Sequence, residues 1–141
     1  MFSSFLSQAN WWAIIVSALV YFVLGSVWFS ALFGKLWMAE IARHGITIKE
    51  PEKKQIGMKM VRTFIYNLVA AFAIAYLIYI SGSYRWLAGL KMGVLCGFGI
   101  ASMGICIAYT WESRSTKLVM IDCGYAIVGM TICGAILAAW H

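Results

Sequence analysis

Asp122 is the residue of this 141-residue chain whose type and position most invite chemistry. Leu118–Trp140 is an otherwise apolar run, and Asp122 lies one helical turn inside it, about 6 Å beyond Leu118. A charged Asp at the centre of a membrane helix costs roughly 3 kcal/mol on insertion scales, and less near an end. Such a carboxylate must face the protein interior and find a partner there. Counting from the ends of the other apolar runs brings Ser26, Trp28, Ser30 and Asn67 to about the same depth, and Tyr125 lies one turn beyond Asp122 on nearly the same face. An indole N–H, an amide and hydroxyls are suitable donors. Together these residues make a candidate ligand site or proton path. Arg62 is the nearest strong cation on the second run. Lys117, five residues before Asp122, misses the favourable three- or four-residue helical spacing.

The other reactive side chains do not converge by spacing. Glu112 could approach Asp122 as a second carboxylate, but Arg114 and Lys117 are nearer partners for it. His44 and His141 are the only histidines, and they fall at opposite ends of the apolar runs, so neither a nucleophile with its base nor a haem ligand is in place. Cys96, Cys106, Cys123 and Cys133 all lie in the last two runs, with no C-x-x-C pair. Cys96 matches Cys133 in depth and Cys106 matches Cys123. Residues ten apart on one helix, however, point about 80° away from each other, and the four read as small packing residues. The expectation is no metal, no cofactor and no enzyme.

Four apolar stretches must position these residues: Trp11–Phe33, Thr63–Ile80, Trp86–Tyr109 and Leu118–Trp140. Each is close to or beyond the ~20 residues that cross a bilayer as a helix. The apolar fraction is 63% and the charged fraction 11%, against about 25% charged in an ordinary soluble domain. The fold class expected is therefore all-α: a single integral membrane four-helix bundle over residues 1–141. The first run has no Lys or Arg before it and is too long for the core of a signal peptide, so it is expected to stay in the protein. Trp11, Trp12, Trp28, Trp37, Tyr84, Trp86, Trp111 and Trp140 sit near the run ends, as an aromatic belt requires.

The net charge of +6 is concentrated between the runs, which argues for lipid headgroups rather than nucleic acid as its partner. Lys35, Arg43, Lys49, Lys53, Lys54, Lys59 and Arg62 belong to the first connection or its edges, and Arg114 and Lys117 to the third. Only Arg85 and Lys91 flank the second. The first and third connections are thus expected in the cytoplasm, with both termini outside. Leu36–His44 reads as an interfacial helix, with Trp37, Met38 and Ile41 on an apolar side and Glu40, Arg43 and His44 on a polar one. Gly45 stops it, and Pro51 separates it from the second span. Residues 35–59 are the only connection large enough to hold a cytoplasmic protein partner.

Small residues suggest how the helices meet. Gly89, Gly93, Gly97, Ala101, Gly104 and Ala108 fall on one side of the third span, facing Ala126, Gly129 and Cys133 of the fourth or a second copy of the chain. Such ridges let helix backbones approach closely in lipid. Spacing does not separate an internal seam from a homo-oligomer interface.

Three segments carry a resemblance. WFSALFGKLWM (Trp28–Met38), IDCGY (Ile121–Tyr125) and the opening NWWAIIVSALVYFVLG (Asn10–Gly25) are similar to hallmarks of domain-of-unknown-function family 1761. The family pattern has Tyr and Pro where this chain has Phe29 and Ala31, and often a His where it has Ala126. The resemblance implies a small bacterial-type four-helix membrane protein, hence a bacterial inner membrane, with no assigned activity and no catalytic residue to carry over. Three functions are compatible with these residues: a structural or accessory module that self-associates, which is the leading expectation; transport of protons, ions or a small solute past Asp122; and a lipid- or quinone-directed enzyme.

Overall fold

The computed structural model describes residues 1–47 and 53–141. Lys49, Glu50, Pro51 and Glu52, expected between the interfacial helix and the second span, lie outside the described residues. Among the described residues six helices follow in order: α1 (Phe2–Gln8), α2 (Trp11–Leu32), α3 (Gly34–Arg43), α4 (Lys53–Ser81), α5 (Trp86–Trp111) and α6 (Thr116–Ala139). No strand occurs among the described residues. α2, α4, α5 and α6 are long and apolar enough to cross a membrane, the signature of an integral membrane protein. α4 carries Lys53–Arg62 ahead of the apolar stretch Thr63–Ile80, in line with the expectation from the sequence that residues 52–60 start the second helix after Pro51; no proline interrupts Lys53–Arg62.

α6 is the hub of the bundle and packs against α2, α4 and α5. The core joins Ala13, Ala18 and Tyr21 of α2, Ala71 and Ile74 of α4, Cys96 of α5, and Cys133 and Leu137 of α6. α1 is pinned by Phe5, which is buried against Phe72, Tyr76 and Tyr79 of α4.

The glycine ridge of α5 is an internal seam. A methyl group at Gly89 would overlap the backbone of Gly134, one at Gly93 the carbonyl of Met130, and one at Gly97 the backbone of Ile127. Gly129 meets the ring of Tyr21 instead of α5. Gly104 departs from the expectation: nothing lies within 4 Å of its missing side chain, and Ala108 is exposed beside it. The cause is a widened, π-helical stretch, Leu95–Ser102, in which the Ser102 hydroxyl donates to the carbonyl five residues back, on Gly97, at 2.7 Å. The extra residue rotates the rest of α5. Ser102 and Tyr109 take the places that Ala101 and Ala108 would otherwise hold, and Cys106 takes that of Ile105. The Cys106 and Cys123 sulfurs consequently touch, 3.8 Å apart.

α3 is amphipathic as expected and ends at Gly45, whose φ of +73° suits glycine. Its faces differ from the expected ones: Glu40 is buried at 3% exposure, whereas Met38 is exposed. The reason is a clamp on the start of α6. The Ser115 hydroxyl donates to Glu40 Oε2 at 2.6 Å, and the Ser115 backbone N–H donates to His44 Nε2 at 3.0 Å. Arg43 adds an ion pair to Glu40 at 3.1 Å. The Ser115 hydrogen bond, opposed by burial and helped by Arg43, holds the Glu40 carboxyl below the ordinary carboxylate range.

Three outcomes follow from this packing. Gly93→Leu should destabilise the detergent-solubilised chain by about 1–3 kcal/mol through overpacking, while Gly104→Leu leaves its thermal midpoint nearly unchanged; equal effects would place Gly104 in the seam after all. Mild oxidation with copper phenanthroline should join Cys106 to Cys123 within one chain. Gly104→Cys in a Cys106→Ser background should not join, because Gly104 is turned out of the seam, and a higher yield from it than from Cys106 would mean that α5 is an unbroken α-helix. Because the Glu40 pKa is depressed in the folded state, its contribution to holding α3 is complete above the ordinary glutamate range near ~4.3 and is lost as pH falls below it. Hydrogen exchange of residues 36–43 should thus be slower in the wild type than in Glu40→Gln at neutral pH, and the difference should vanish as the pH falls through the lowered Glu40 pKa. Both proteins keep His44, so the comparison isolates Glu40.

Candidate functional site

Asp122 sits one and a half turns into α6, half-buried, on the side facing α3 and the end of α5. The rotated end of α5 brings Tyr109 to it, and the phenol donates to Asp122 Oδ2 at 2.6 Å. That length is typical of an O–H donor on a carboxylate. The Trp37 indole of α3 flanks the same carboxylate. Phe29 packs edge-on against Trp37 with ring centroids 5.4 Å apart. Between them lies an open groove of about 370 Å³ whose remaining walls are Ile41, Ile46 and Leu118, with Arg114 at its mouth. Arg114 is engaged elsewhere, donating from Nε to Glu112 at 2.8 Å. The ion pairs among the described residues are Arg43–Glu40 and Arg114–Glu112, so Asp122 has no cationic side chain against it there. A carboxylate offers about four acceptor positions, and Tyr109 uses one.

The other residues expected around Asp122 form two separate arrangements. Trp28 also lies in a widened turn, Trp28–Leu32, where the Phe33 N–H reaches back five residues to the Trp28 carbonyl. Its indole donates to the Ile121 carbonyl at 3.0 Å, and its ring lies over Gly124. Asn67 and Tyr125 meet outside the groove, where Tyr125 packs on Phe29 with ring centroids 5.2 Å apart. There the Asn67 amide is 3.5 Å from the Tyr125 hydroxyl, which donates to the Tyr21 carbonyl at 3.3 Å. Ser26 and Ser30 are exposed, and both hydroxyls bond back to carbonyls of their own helix, Phe22 and Ser26. The residues at one depth therefore do not join into one layer around Asp122: Trp28 bonds the Ile121 carbonyl and packs on Gly124, and Asn67 and Tyr125 pair with each other.

Tyr109, Trp37 and Arg114 complete the groove and were not singled out by spacing. Tyr109 stands on the wrong side of a regular α5. Its only sequence signal is that an unbroken helix would leave three polar or thiol residues, Ser102, Cys106 and Tyr109, facing lipid. Among the described residues no three His, Cys, Asp or Glu side chains are arranged to hold a metal ion.

No curated protein and no solved structure matches the chain. A family model does match, over residues 12–138, which takes in all four long helices but for the first residue of α2 and the last of α6, and the Asp122 groove. Its description is "protein of unknown function (DUF1761)", and the chain belongs to this family.

Proposed function

We propose that the protein is a membrane-embedded binding protein for a small amphiphile with an amine head, and that Asp122 is the recognition point. The observation that carries this reading is a carboxylate on the wall of an aromatic groove, held by Tyr109 at 2.6 Å and lacking a cationic side-chain partner among the described residues. A protonated amine supplies both the missing charge and the missing donors. Phe29 and Trp37 add ring faces that attract a cation, and Ile41 and Leu118 offer apolar contact to a short alkyl body. The groove is complete in one chain, so this reading does not require self-association. By the charge asymmetry of the connections, the groove opens toward the cytoplasm.

Nanodiscs carrying the chain should bind decylamine more tightly than decanol, which has the same chain length but no charge. The readouts are Trp37 fluorescence and a raised thermal midpoint. Asp122→Asn should weaken amine binding about tenfold or more, as expected for loss of a charge-assisted hydrogen bond. Tyr109→Phe should weaken it less, because it leaves the charge. The proposal is wrong if decanol binds as well as decylamine, or if a folded Asp122→Asn protein keeps wild-type affinity for the amine.

A further inference from the structure

A second groove, of about 440 Å³, opens between α2 and the first turns of α4. We infer that it holds one acyl chain of an anionic phospholipid, with the phosphate against Lys59. The walls are the Phe22, Phe29, Ile56 and Met60 side chains, and Gly25 and Tyr125 also line it. Gly25 lets the floor lie deep, since a methyl group there would press on the Tyr125 hydroxyl. Ile56 and Met60 of its wall are themselves exposed, so the groove is open to the surrounding medium. In a bilayer, a hydrocarbon chain is what reaches such a surface.

The rim selects the head. Lys59 is the one charged side chain lining the groove, and Arg62 stands one turn further along α4. Lys53 and Lys54 precede them, and none of the four is in an ion pair among the described residues. Ser26 and Thr63 also line the rim, but their hydroxyls donate to the carbonyls of Phe22 and Lys59. What the rim offers a ligand is therefore positive charge, which favours an anionic headgroup over a zwitterionic one. This site lies on the opposite flank of Phe29 from the Asp122 groove and shares no charged residue with it.

Native mass spectrometry of the chain released from membranes of mixed phosphatidylglycerol and phosphatidylcholine tests the inference. Phosphatidylglycerol should be retained preferentially, at about one molecule per chain. Lys59→Glu should lower that retention about fivefold or more, whereas Lys54→Glu, the same charge change outside the groove, should lower it less than about twofold. Thermal midpoints check that both exposed substitutions leave the fold intact. Inorganic phosphate at millimolar concentration should not displace the lipid. Equal losses from the two substitutions would reduce the effect to general surface attraction and overturn the site. Equal retention of phosphatidylcholine, or displacement by phosphate alone, would overturn it as well.

Discussion

The contact on which the rest of the architecture depends is the backbone-to-backbone approach of α5 and α6. In hydrocarbon there is no hydrophobic force to press two helices together, and dispersion between closely fitted surfaces must do it. Gly89, Gly93 and Gly97 supply one surface, and the backbones of Gly134, Met130 and Ile127 the other. Nothing larger than hydrogen fits at these positions, so the relative height and rotation of the two helices are fixed at this end of the pair. At the other end α6 carries Asp122, and α5 must present a donor to it. A regular helix cannot serve both ends, because it would continue the small-residue stripe past Asp122. The widened stretch Leu95–Ser102 separates the two tasks: close packing on one side, and a hydrogen-bonding face of Ser102, Cys106 and Tyr109 on the other.

That division explains what was legible in the sequence. The spans were legible because hydropathy needs no knowledge of the third dimension: a run of apolar residues has one physical outcome in lipid. The upper ridge was legible because Gly89, Gly93 and Gly97 obey the helical period. Beyond Gly97 the same extrapolation fails. At 3.6 residues per turn, Ser102, Cys106 and Tyr109 stand roughly 140°, 180° and 120° from Gly97. One inserted residue brings them to roughly 40°, 80° and 20°. The shift turns Gly104 out of the seam and Tyr109 into the site. A pattern that leaves every polar residue of a half-helix facing lipid is itself a sign that the helix has changed register.

Depth was readable and direction was not. Asp122, Trp28, Asn67 and Tyr125 do fall at similar heights, yet α6 is touched by neighbours on several sides, and residues at one height can look into different spaces. Asp122 looks toward α3 and α5, and Tyr125 toward α2 and α4. Trp28 looks elsewhere again: its own helix widens at Trp28–Leu32, and the indole reaches the Ile121 carbonyl. Glu40 misled for a related reason. On a helical wheel it belongs with Arg43 and His44 on a wet face, but the start of α6 occupies that face, and Ser115 turns the carboxylate into an anchor.

The anchor and the groove are consequences of one another. Ser115 is the N-cap of α6, its hydroxyl accepting from the Leu118 N–H at 3.3 Å. The same hydroxyl donates to Glu40, so the group that starts α6 also fixes the height of α3 above it. Asp122 follows Ser115 by about two turns, on the stretch of α6 that α3 overhangs. Trp37, one turn before Glu40 on α3, is thereby set over the carboxylate, and Ile41, one residue after Glu40, closes the apolar side. Had α3 been held only by apolar contact with lipid, it could slide along the surface and the groove would have no defined width. Two hydrogen bonds to a residue at a helix terminus remove that freedom. They leave Asp122 facing an open groove walled by Phe29, by Trp37 and Ile41 of α3 and by Tyr109 of α5, rather than a close-packed core.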